Sequence, residues 1–262
     1  MGILNLTPDS FSDGGRFTTI DSAVSAAKEM LDDGADIIDI GGESTRPGAA
    51  AVSENDELQR VMPVVEAIAA GTSAVISVDT SKAAVARATL ERGAHIINDV
   101  SAMTSDPKMA AIIAEFNAGI VLMHMQGTPR TMQNNPTYHN VVTEVSEYLA
   151  QRINAAEADG IDRRNIAIDP GIGFGKTTEH NLLLLAQLSE LKKHQLPLLV
   201  GLSRKRFIGT LNGTPVEDRL AGSLAGLTCA IVNGAHIMRV HDVAMSHRAA
   251  KIAAAVRDRM IL

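Results

Sequence analysis

Short apolar runs alternate with amphipathic helical stretches along the whole chain. Three places share one local pattern: GADIIDI from Gly34, GAHIIND from Gly93 and GAHIMRV from Gly234. In each, a helical stretch ends at a glycine suited to a left-handed cap, and a short apolar strand follows. A polar residue stands five places after each glycine, at Asp39, Asn98 and Arg239. The pattern indicates an internal repeat of strand and helix.

Looser copies of the strand pattern fill the gaps between these repeats, at GILN, AVISVD, GIVLMH, NIAID and PLLVGLSRK. Ala-rich stretches with helical periodicity, such as DSAVSAAKEMLDDG, lie between them. Continuous apolar strands are typical of a parallel sheet buried on both faces. Together the eight strand-helix units predict an α/β protein with one domain, residues 1–262, folded as a (β/α)8 TIM barrel.

Composition narrows the class of protein. The chain has 262 residues, of which 45% are hydrophobic and 21% charged, as expected for a folded domain with a full core. Its formal net charge of -6 gives no basic surface for nucleic acid or an anionic membrane. No apolar run approaches the ~20 residues that cross a bilayer, and MGILNLTPD does not resemble a signal peptide. We therefore expect a cytoplasmic protein without nucleic-acid or membrane partners.

Two features of the chain concern packing. The single cysteine, Cys229, allows no internal disulfide and stands in the apolar helical run SLAGLTCAIV, so we expect an inert, packed side chain. The apolar helix predicted around residues 220–232 fits either a subunit contact or a core-facing position.

Nearly every predicted strand ends in a polar residue. In a barrel of this kind the C-terminal strand ends surround one mouth, so these side chains would converge on a single active site. Polar residues also mark where strands leave a core, and for any single residue that alternative stays open. Many charged or amide ends together favour a functional site, because charge at a buried rim is costly unless it is paired or used. The residues are Asn5, Asp39, Asp79, Asn98, His124, Asp169, Ser203 with Lys205, and Arg239 with His241.

Two chemical classes meet at this mouth. Asp79, Asn98 and Asp169 suit the N–H edge of a flat nitrogenous ring, because a carboxylate accepts two parallel N–H bonds. Cationic side chains suit an anion, and they are Arg46, Arg204, Lys205, Arg239 and His241. The loops TPDSFSDGGRF and GGESTRPGAAAVSEND follow the first two strands and fit either lids or plain surface loops.

The stretch DPGIGFGKT, residues 169–177, is similar to a phosphate-binding loop but fits neither nucleotide motif. A P-loop requires glycine where Pro170 stands, and the dinucleotide motif requires glycine where Lys176 stands. Asp169 would also repel a phosphate. The glycines therefore need another explanation.

Eight motifs carry a resemblance to a known family. In chain order they are GILNLTPDSFSDGG, DIGGESTRPGA, SVDTSK, HIINDVS, LMHMQGTP, DPGIGFGK, GLSRK and RVHDV. They resemble the bacterial dihydropteroate synthases along almost the whole chain. The resemblance implies a pterin-binding barrel of folate biosynthesis, usually a homodimer and a sulfonamide target. Such an enzyme joins 6-hydroxymethyl-7,8-dihydropterin diphosphate to 4-aminobenzoate and releases diphosphate with Mg2+.

The resemblance also implies roles for individual residues. The pterin is expected to contact Asp79, Asn98, Met123, Asp169, Lys205 and Arg239. The diphosphate is expected to contact Asn5, Thr45, Arg46, Arg239 and His241. The aminobenzoate is expected to contact Phe11, Thr45, Arg46, Pro47, Phe174, Ser203 and Lys205. The catalytic residues are expected to be Lys205, Asp79, Arg239 and His241.

Some of these roles have plain alternatives. Asn5 is expected to contact Mg2+, yet it would also serve as a cap of the first turn. Each phenylalanine would more often be ordinary packing. The resemblance makes DPGIGFGKT a loop after the sixth strand, where glycines let the backbone pass close to the second substrate. Lys176 is then expected to be a solvated residue at a helix start.

The implied reaction needs no nucleophilic side chain, because early C–O cleavage would give a pterin-stabilised cation that the amine attacks. Two other functions remain open at this point. A pterin-dependent methyltransferase would share the barrel and the pterin pocket. A non-catalytic paralogue would bind pterin and turn over nothing.

Overall fold

The computed structural model describes residues 1–6, 20–45 and 48–260. Within these residues eight short strands alternate with helices. The strands are β1 (Gly2–Asn5), β2 (Ile37–Gly41), β3 (Val75–Asp79), β4 (Ile96–Asp99), β5 (Gly119–Met123), β6 (Ile166–Asp169), β7 (Leu199–Val200) and β8 (Ile237–Met238). Each coincides with an apolar run predicted from the sequence.

The strands form a closed parallel ring. β1 to β6 pair in chain order, and β7 pairs with β8. Isolated parallel bridges join Ile168 to Leu198 and Gly2 to Val240, which connects β6 to β7 and β8 to β1. The predicted (β/α)8 barrel is therefore confirmed.

Nine helices in the described part of the chain surround the strands. They are α1 (Ile20–Asp32), α2 (Glu54–Gly71), α3 (Ala83–Leu90), α4 (Met109–Phe116), α5 (Val141–Ala158), α6 (Thr178–Ala186), α7 (Arg206–Asn212), α8 (Leu220–Val232) and α9 (Val243–Met260). Both α7 and α8 lie between β7 and β8. Among the described residues, no helix is long and apolar enough to cross a membrane.

The repeated glycines end helices as the sequence predicts. Gly34, Gly93 and Gly234 have φ angles of 96°, 102° and 107°, which any side chain would strain. In each copy the alanine that follows donates its N–H to a carbonyl five residues earlier, as in a Schellman-type cap. The cap turns the chain directly into the next strand.

The core lies inside the ring and between the ring and the helices. Its most buried side chains include Leu4, Ile38, Ile40, Ile76, Ile97, Ile120, Leu122 and Ile166. Helix α8 turns Leu227, Ala230 and Ile231 toward this packing. Cys229 lies on the opposite side and is exposed, so the expectation of a packed cysteine is wrong. Helical periodicity explains the difference, because residue 229 lies about 200° around the axis from residue 227.

Candidate active site

Polar side chains at one end of the barrel lie in a common register. Backbone pairing aligns Asn5 with Gly41, Gly41 with Asp79, and Asp79 with Asn98. A Cβ placed on Gly41 would lie 3.4 Å from Asn5 Oδ1 and 3.7 Å from Asp79 Cβ. The glycine therefore leaves a space that the Asn5 amide and the Asp79 side chain both border.

Arg239 joins the carboxylates of two strands. Its Nε donates a hydrogen bond to Asp39 Oδ2 at 2.5 Å, and its Nη2 donates to Asp79 Oδ2 at 2.9 Å. Asn98 Nδ2 donates to the same Asp39 oxygen at 3.2 Å. Burial raises the pKa of the Asp79 carboxyl to about 7, although the Arg239 guanidinium opposes the shift. The negative charge of Asp39 adds to the rise.

Asp39 joins the candidate site, although the sequence analysis assigned it only a strand-end position and no role. It is completely buried, and its Oδ1 has no hydrogen-bond partner among the described residues. A signal for it was present, because Asp39, Asn98 and Arg239 occupy equivalent places in the repeat. The structure brings these three residues together at one carboxylate oxygen.

Asp169, Lys205 and Phe174 form the other half of the mouth. Asp169 Oδ1 accepts a hydrogen bond from the Gly171 N–H at 2.7 Å. The Lys205 ammonium lies over the Phe174 ring, 3.9 Å from its centroid. Burial raises the pKa of Asp169 to about 6, although the Gly171 N–H and Lys205 oppose the shift. Burial also lowers the pKa of Lys205 to about 8, while attraction to Asp169 opposes that shift.

Ser203 and His241 bring the ends of β7 and β8 together. His241 Nδ1 and Ser203 Oγ are 3.0 Å apart, and the His241 N–H donates to the same oxygen at 3.3 Å. Ser203 is buried. His241 lies two residues after Arg239, so the contact with Ser203 holds the imidazole at the same strand end that carries the guanidinium.

Arg204, which the sequence suggests as an anion-binding cation, forms an ion pair with Asp242 in this structure. The two Arg204 nitrogens donate to Asp242 at 3.0 and 2.5 Å. The backbone of Arg204 is left-handed with a φ of 57°, which is strained for a residue with a Cβ. Ser223 Oγ accepts its N–H at 2.9 Å, and Arg219 Nη1 donates to its carbonyl at 3.1 Å. This kink leaves Arg204 exposed while Ser203 stays buried.

Of the remaining predicted site residues, the structure describes Met123 and Thr45. Met123 is buried in one apolar cluster with Val100, Met132 and Phe174, so the two predicted ring contacts are neighbours. Thr45 is half-buried in the loop after β2. Phe11, Arg46 and Pro47 lie outside the described residues.

An ionic cluster holds the base of the loop after β2, and the sequence reasoning missed it. Lys82 Nζ donates to Glu43 Oε2 at 2.5 Å and also to the buried Glu57. Glu43 Oε1 accepts the Val52 N–H at 3.1 Å and so ties one end of the loop to the other.

Lys176 is buried, so its predicted exposure to solvent is wrong. Its side chain is 3% exposed. The ammonium donates to the Phe174 carbonyl at 2.9 Å and lies 2.9 Å from His124 Nδ1. Gly171, Gly173 and Gly175 are all left-handed, so the chain turns tightly before Lys176, whose side chain then reaches His124. Its burial is a tertiary effect that a helix-start pattern does not reveal.

The glycines of this loop are required by the protein's own backbone. A Cβ on Gly171 would lie 1.9 Å from the His124 carbonyl oxygen, and one on Gly175 would lie 2.5 Å from that of Gln126. Both oxygens belong to the loop after β5. The loop after β6 therefore packs against the loop after β5 through direct backbone contacts that leave no room for a Cβ at Gly171 or Gly175.

Comparison with known proteins identifies the family. A family model described as "Pterin binding enzyme" matches residues 1–241. Dihydropteroate synthase of Escherichia coli K12 is 53% identical over 243 residues, which cover 93% of this chain and 86% of that protein. The chain belongs to the dihydropteroate synthase family. The resemblance inferred from eight motifs is thus confirmed, and the protein is a transferase.

Solved structures of the synthase family share the fold. A Yersinia pestis dihydropteroate synthase, solved as a sulfonamide drug complex, is 48% identical with a TM-score of 0.95, covering 98% of this chain and 94% of its own. A Xanthomonas albilineans dihydropteroate synthase with 4-aminobenzoic acid is 49% identical with a TM-score of 0.91, covering 98% of this chain and 92% of its own.

Proposed function

We propose that this chain condenses 6-hydroxymethyl-7,8-dihydropterin diphosphate with 4-aminobenzoate to give 7,8-dihydropteroate and diphosphate. The observation that carries the residue roles is the pair of buried carboxylates, Asp79 and Asp169, at one barrel mouth. Burial raises the pKa values of both carboxyls toward neutrality. Such groups accept hydrogen bonds from the N–H edge of a pterin strongly, because little water competes with them.

The pterin subsite in this proposal combines polar edges with an apolar face. Asp169 and Asp79 accept from ring N–H groups, and the amide of Asn98 completes the edge. Met123 packs against one face of the ring. Arg239 lies near the opposite face, where Asp39 and Asp79 fix its guanidinium.

The diphosphate subsite lies by the ends of β8 and β1. Arg239 and His241 are suited to the anion, and Ser203 orients the imidazole of His241 through the 3.0 Å contact. Thr45 and Arg46 would join them from the loop after β2. These donors stabilise negative charge as the leaving group departs.

Mg2+ suits the oxygen chemistry around Asn5. The Asn5 amide oxygen borders the space beside Gly41, and a hard cation of this kind accepts one such oxygen plus water and phosphate oxygens. Among the described residues, no three His, Cys, Asp or Glu side chains are placed to hold a metal by themselves. Bound Mg2+ would neutralise diphosphate charge, with Asn5 as its contact on this chain.

The aminobenzoate subsite is proposed around Phe174, Ser203 and Lys205. The Phe174 ring gives an apolar wall, and the ammonium above it suits a carboxylate or an electron-rich ring. Phe11, Thr45, Arg46 and Pro47 would close this subsite. Since the Yersinia pestis relative was solved with a sulfonamide, we also expect sulfonamides to compete here.

The reaction breaks one bond and forms another at the pterin methylene. The C–O bond to diphosphate breaks, and its electron pair leaves with the diphosphate. The amine nitrogen forms the new C–N bond and loses one proton to water. Asp79 and Asp169 stabilise positive charge on the ring during this exchange.

The test is diphosphate release by the purified protein, given dihydropterin diphosphate and Mg2+, with and without 4-aminobenzoate. We expect release that depends on the amine. Asp169→Ala should weaken pterin binding about tenfold to a hundredfold, because a charged hydrogen bond contributes roughly 1.5 to 3 kcal/mol. Asp159→Ala is the matched control, since Asp159 is exposed at the C-terminal end of α5.

Other outcomes would identify the alternatives. Methyl transfer from a methylpterin donor, without diphosphate release, would favour the methyltransferase. Pterin binding without any turnover would favour the non-catalytic paralogue. Equal pterin affinity in Asp169→Ala and the unaltered protein would refute the assignment of Asp169.

We further propose a cytoplasmic homodimer that pairs through α9. Met245, Ile252 and Val256 are 43%, 68% and 50% exposed, and their spacing places them on one side of the helix. Sedimentation should show a dimer that Ile252→Asp converts to a monomer. Lys251→Asp, at the neighbouring exposed position, should leave the dimer intact, and a monomeric unaltered protein would refute the proposal.

A further inference from the structure

Lys176 is a buried cation for which the proposed reaction has no use. Lys176 stands in the stretch GKT, which is similar to the end of a phosphate-binding loop, yet its ammonium is buried in the protein. Its bonding groups are the Phe174 carbonyl at 2.9 Å, His124 Nδ1 at 2.9 Å and the His124 carbonyl at 3.4 Å. A methionine would fill a similar space without the cost of burying a charge.

The ammonium connects two neighbouring loops. Phe174 belongs to the loop after β6, and His124 follows β5 directly. Nζ also lies 3.4 Å from the position a Cβ would take on Gly171. Lys176 therefore contacts the turn from which the Gly171 N–H reaches Asp169.

His124 is suited to accept from this ammonium. Burial lowers the pKa of its imidazole to about 3, and the positive charge of Lys176 adds to the shift. A neutral ring that accepts at Nδ1 carries its proton at Nε2. The ring is also fixed edge-on against Tyr148, with centroids 4.9 Å apart. The acceptor is thus held rigidly.

We propose that Lys176 is a positioning residue, whose buried ammonium ties the β6 loop to the β5 loop and so holds Phe174 and Asp169 in place for the two substrates. The proposal rests on the proposed function for its substrates. The chain of contacts runs from Lys176 to the Phe174 carbonyl, and from the Phe174 ring to the Lys205 ammonium. It also runs through the Gly171 turn to the Asp169 carboxylate.

An electrostatic consequence separates this role from plain structural support. The groups whose charges favour ionised Asp169 are Lys205, Lys176 and Arg239, together with the Gly171 N–H. Loss of the Lys176 charge should therefore raise the pKa of Asp169. The acid limb of pterin binding then moves to higher pH. Lys176 itself faces Asp169, Lys205 and His124. Burial lowers the pKa of Lys176 to about 7, while the charge of Asp169 opposes the shift, so the ammonium is charged at the pH of the Asp169 acid limb.

The experiment compares Lys176→Met with Lys108→Met, an exposed lysine at the start of α4. In amine-dependent diphosphate release, kcat/KM of Lys176→Met should fall about tenfold to a hundredfold, because displacement near 1 Å costs that much. Its acid limb should move upward, whereas Lys108→Met should match the unaltered protein. A normal kcat/KM and an unmoved acid limb in folded Lys176→Met would overturn the proposal.

A second readout does not depend on the reaction. The chain contains no tryptophan, so Phe174→Trp introduces a single fluorophore into the loop. Adding Lys176→Met should lower its fluorescence anisotropy, and equal anisotropy would count against the tie between the loops. Should Lys176→Met fail to fold, His124→Leu removes one acceptor and should lower kcat/KM several-fold; unchanged kinetics there would also count against it. Absence of diphosphate release in the unaltered protein would refute the proposed function instead, while the anisotropy still tests the positioning.

Discussion

Replacing Gly171 by alanine tests whether the loop after β6 requires a glycine at this position. The new Cβ would lie 1.9 Å from the His124 carbonyl oxygen. A carbon and an oxygen approach to about 3.3 Å at closest, so one of the two loops must move by about 1.4 Å. Because the Gly171 N–H donates to Asp169, that movement reaches the carboxylate of the proposed pterin subsite.

The loss of unfolding free energy in Gly171→Ala has two parts, and a matched variant separates them. The left-handed backbone costs an alanine about 1 to 2 kcal/mol, and overpacking adds about 1 to 3 kcal/mol. Gly213 has the same φ of 68° as Gly171, but a Cβ there would meet nothing within 4 Å. Gly213→Ala should therefore lose only the first part, and Gly171→Ala should lose both.

Urea unfolding measures the stability change, and amine-dependent diphosphate release measures the functional change. We expect Gly171→Ala to lose about 2 to 5 kcal/mol of unfolding free energy and about a hundredfold in kcat/KM. Gly213→Ala should keep normal kinetics. Equal unfolding free energies for the two variants, with normal kinetics in both, would show that the crowding at Gly171 has no consequence.

The other predictions concern charge. The kcat/KM for the pterin substrate should fall as the pH drops through about 7 and then 6, where Asp79 and then Asp169 take up protons, and above about pH 8, where Lys205 loses one; in a pH profile, Asp169→Asn should keep only the acid step near pH 7 that belongs to Asp79. Asp39→Asn should lower the free energy of unfolding by about 3 kcal/mol and reduce kcat/KM, because a buried guanidinium loses one of its two carboxylates; urea unfolding and kinetics check this. A double-mutant cycle on Arg204→Ala and Asp242→Ala should give a coupling of at most about 1 kcal/mol in the free energy of unfolding, because the pair is partly exposed; additive effects would show that the pair does not join the loops after β7 and β8.

The fold was predictable because its determinants are local. The glycine of each repeat forces a left-handed cap, and the apolar run that follows has no stable place except inside a parallel sheet. Both features can be read from GADIIDI alone. The closure of the ring was an inference from the number of units, and the bridges at Ile168 and Gly2 confirm it.

The parts that were not predictable depend on contacts between distant segments. Lys176 looks like a helix-start lysine in sequence, and its burial follows from a neighbouring loop that begins 52 residues earlier at His124. Cys229 looks like core because its whole helix is apolar, yet only one side of that helix faces the barrel. Arg204 looks like an anion ligand, and its partner Asp242 lies 38 residues away. A linear pattern gives residue type but not the direction of the side chain.

The repeat explains why distant residues meet at one polar layer. In a (β/α)8 barrel the shear advances the residue at a given height by about one position per strand, and alternate strands share a layer. Backbone pairing leads from Asp39 on β2 through Ser77 on β3 to Ile96 on β4. Two strands of shear add two positions, so the β4 residue at the same height along the barrel axis as Asp39 is Asn98. The same step through Val121 and Ala167 reaches Asp169 on β6.

Continuing around the ring, Leu199 pairs with Ile237, and two positions further lies Arg239, immediately after β8. The four even-numbered strands thus contribute Asp39, Asn98, Asp169 and Arg239 to one layer, a place that barrels usually fill with branched apolar side chains. Two carboxylates, an amide and a guanidinium satisfy each other there only in part, since Asp39 Oδ1 has no partner among the described residues. Incomplete satisfaction of buried polar groups opposes folding and favours binding, because a ligand with complementary N–H groups recovers the lost hydrogen bonds. In the proposed function, a pterin whose N–H groups reach this layer would therefore recover part of the lost hydrogen bonding and gain affinity from it.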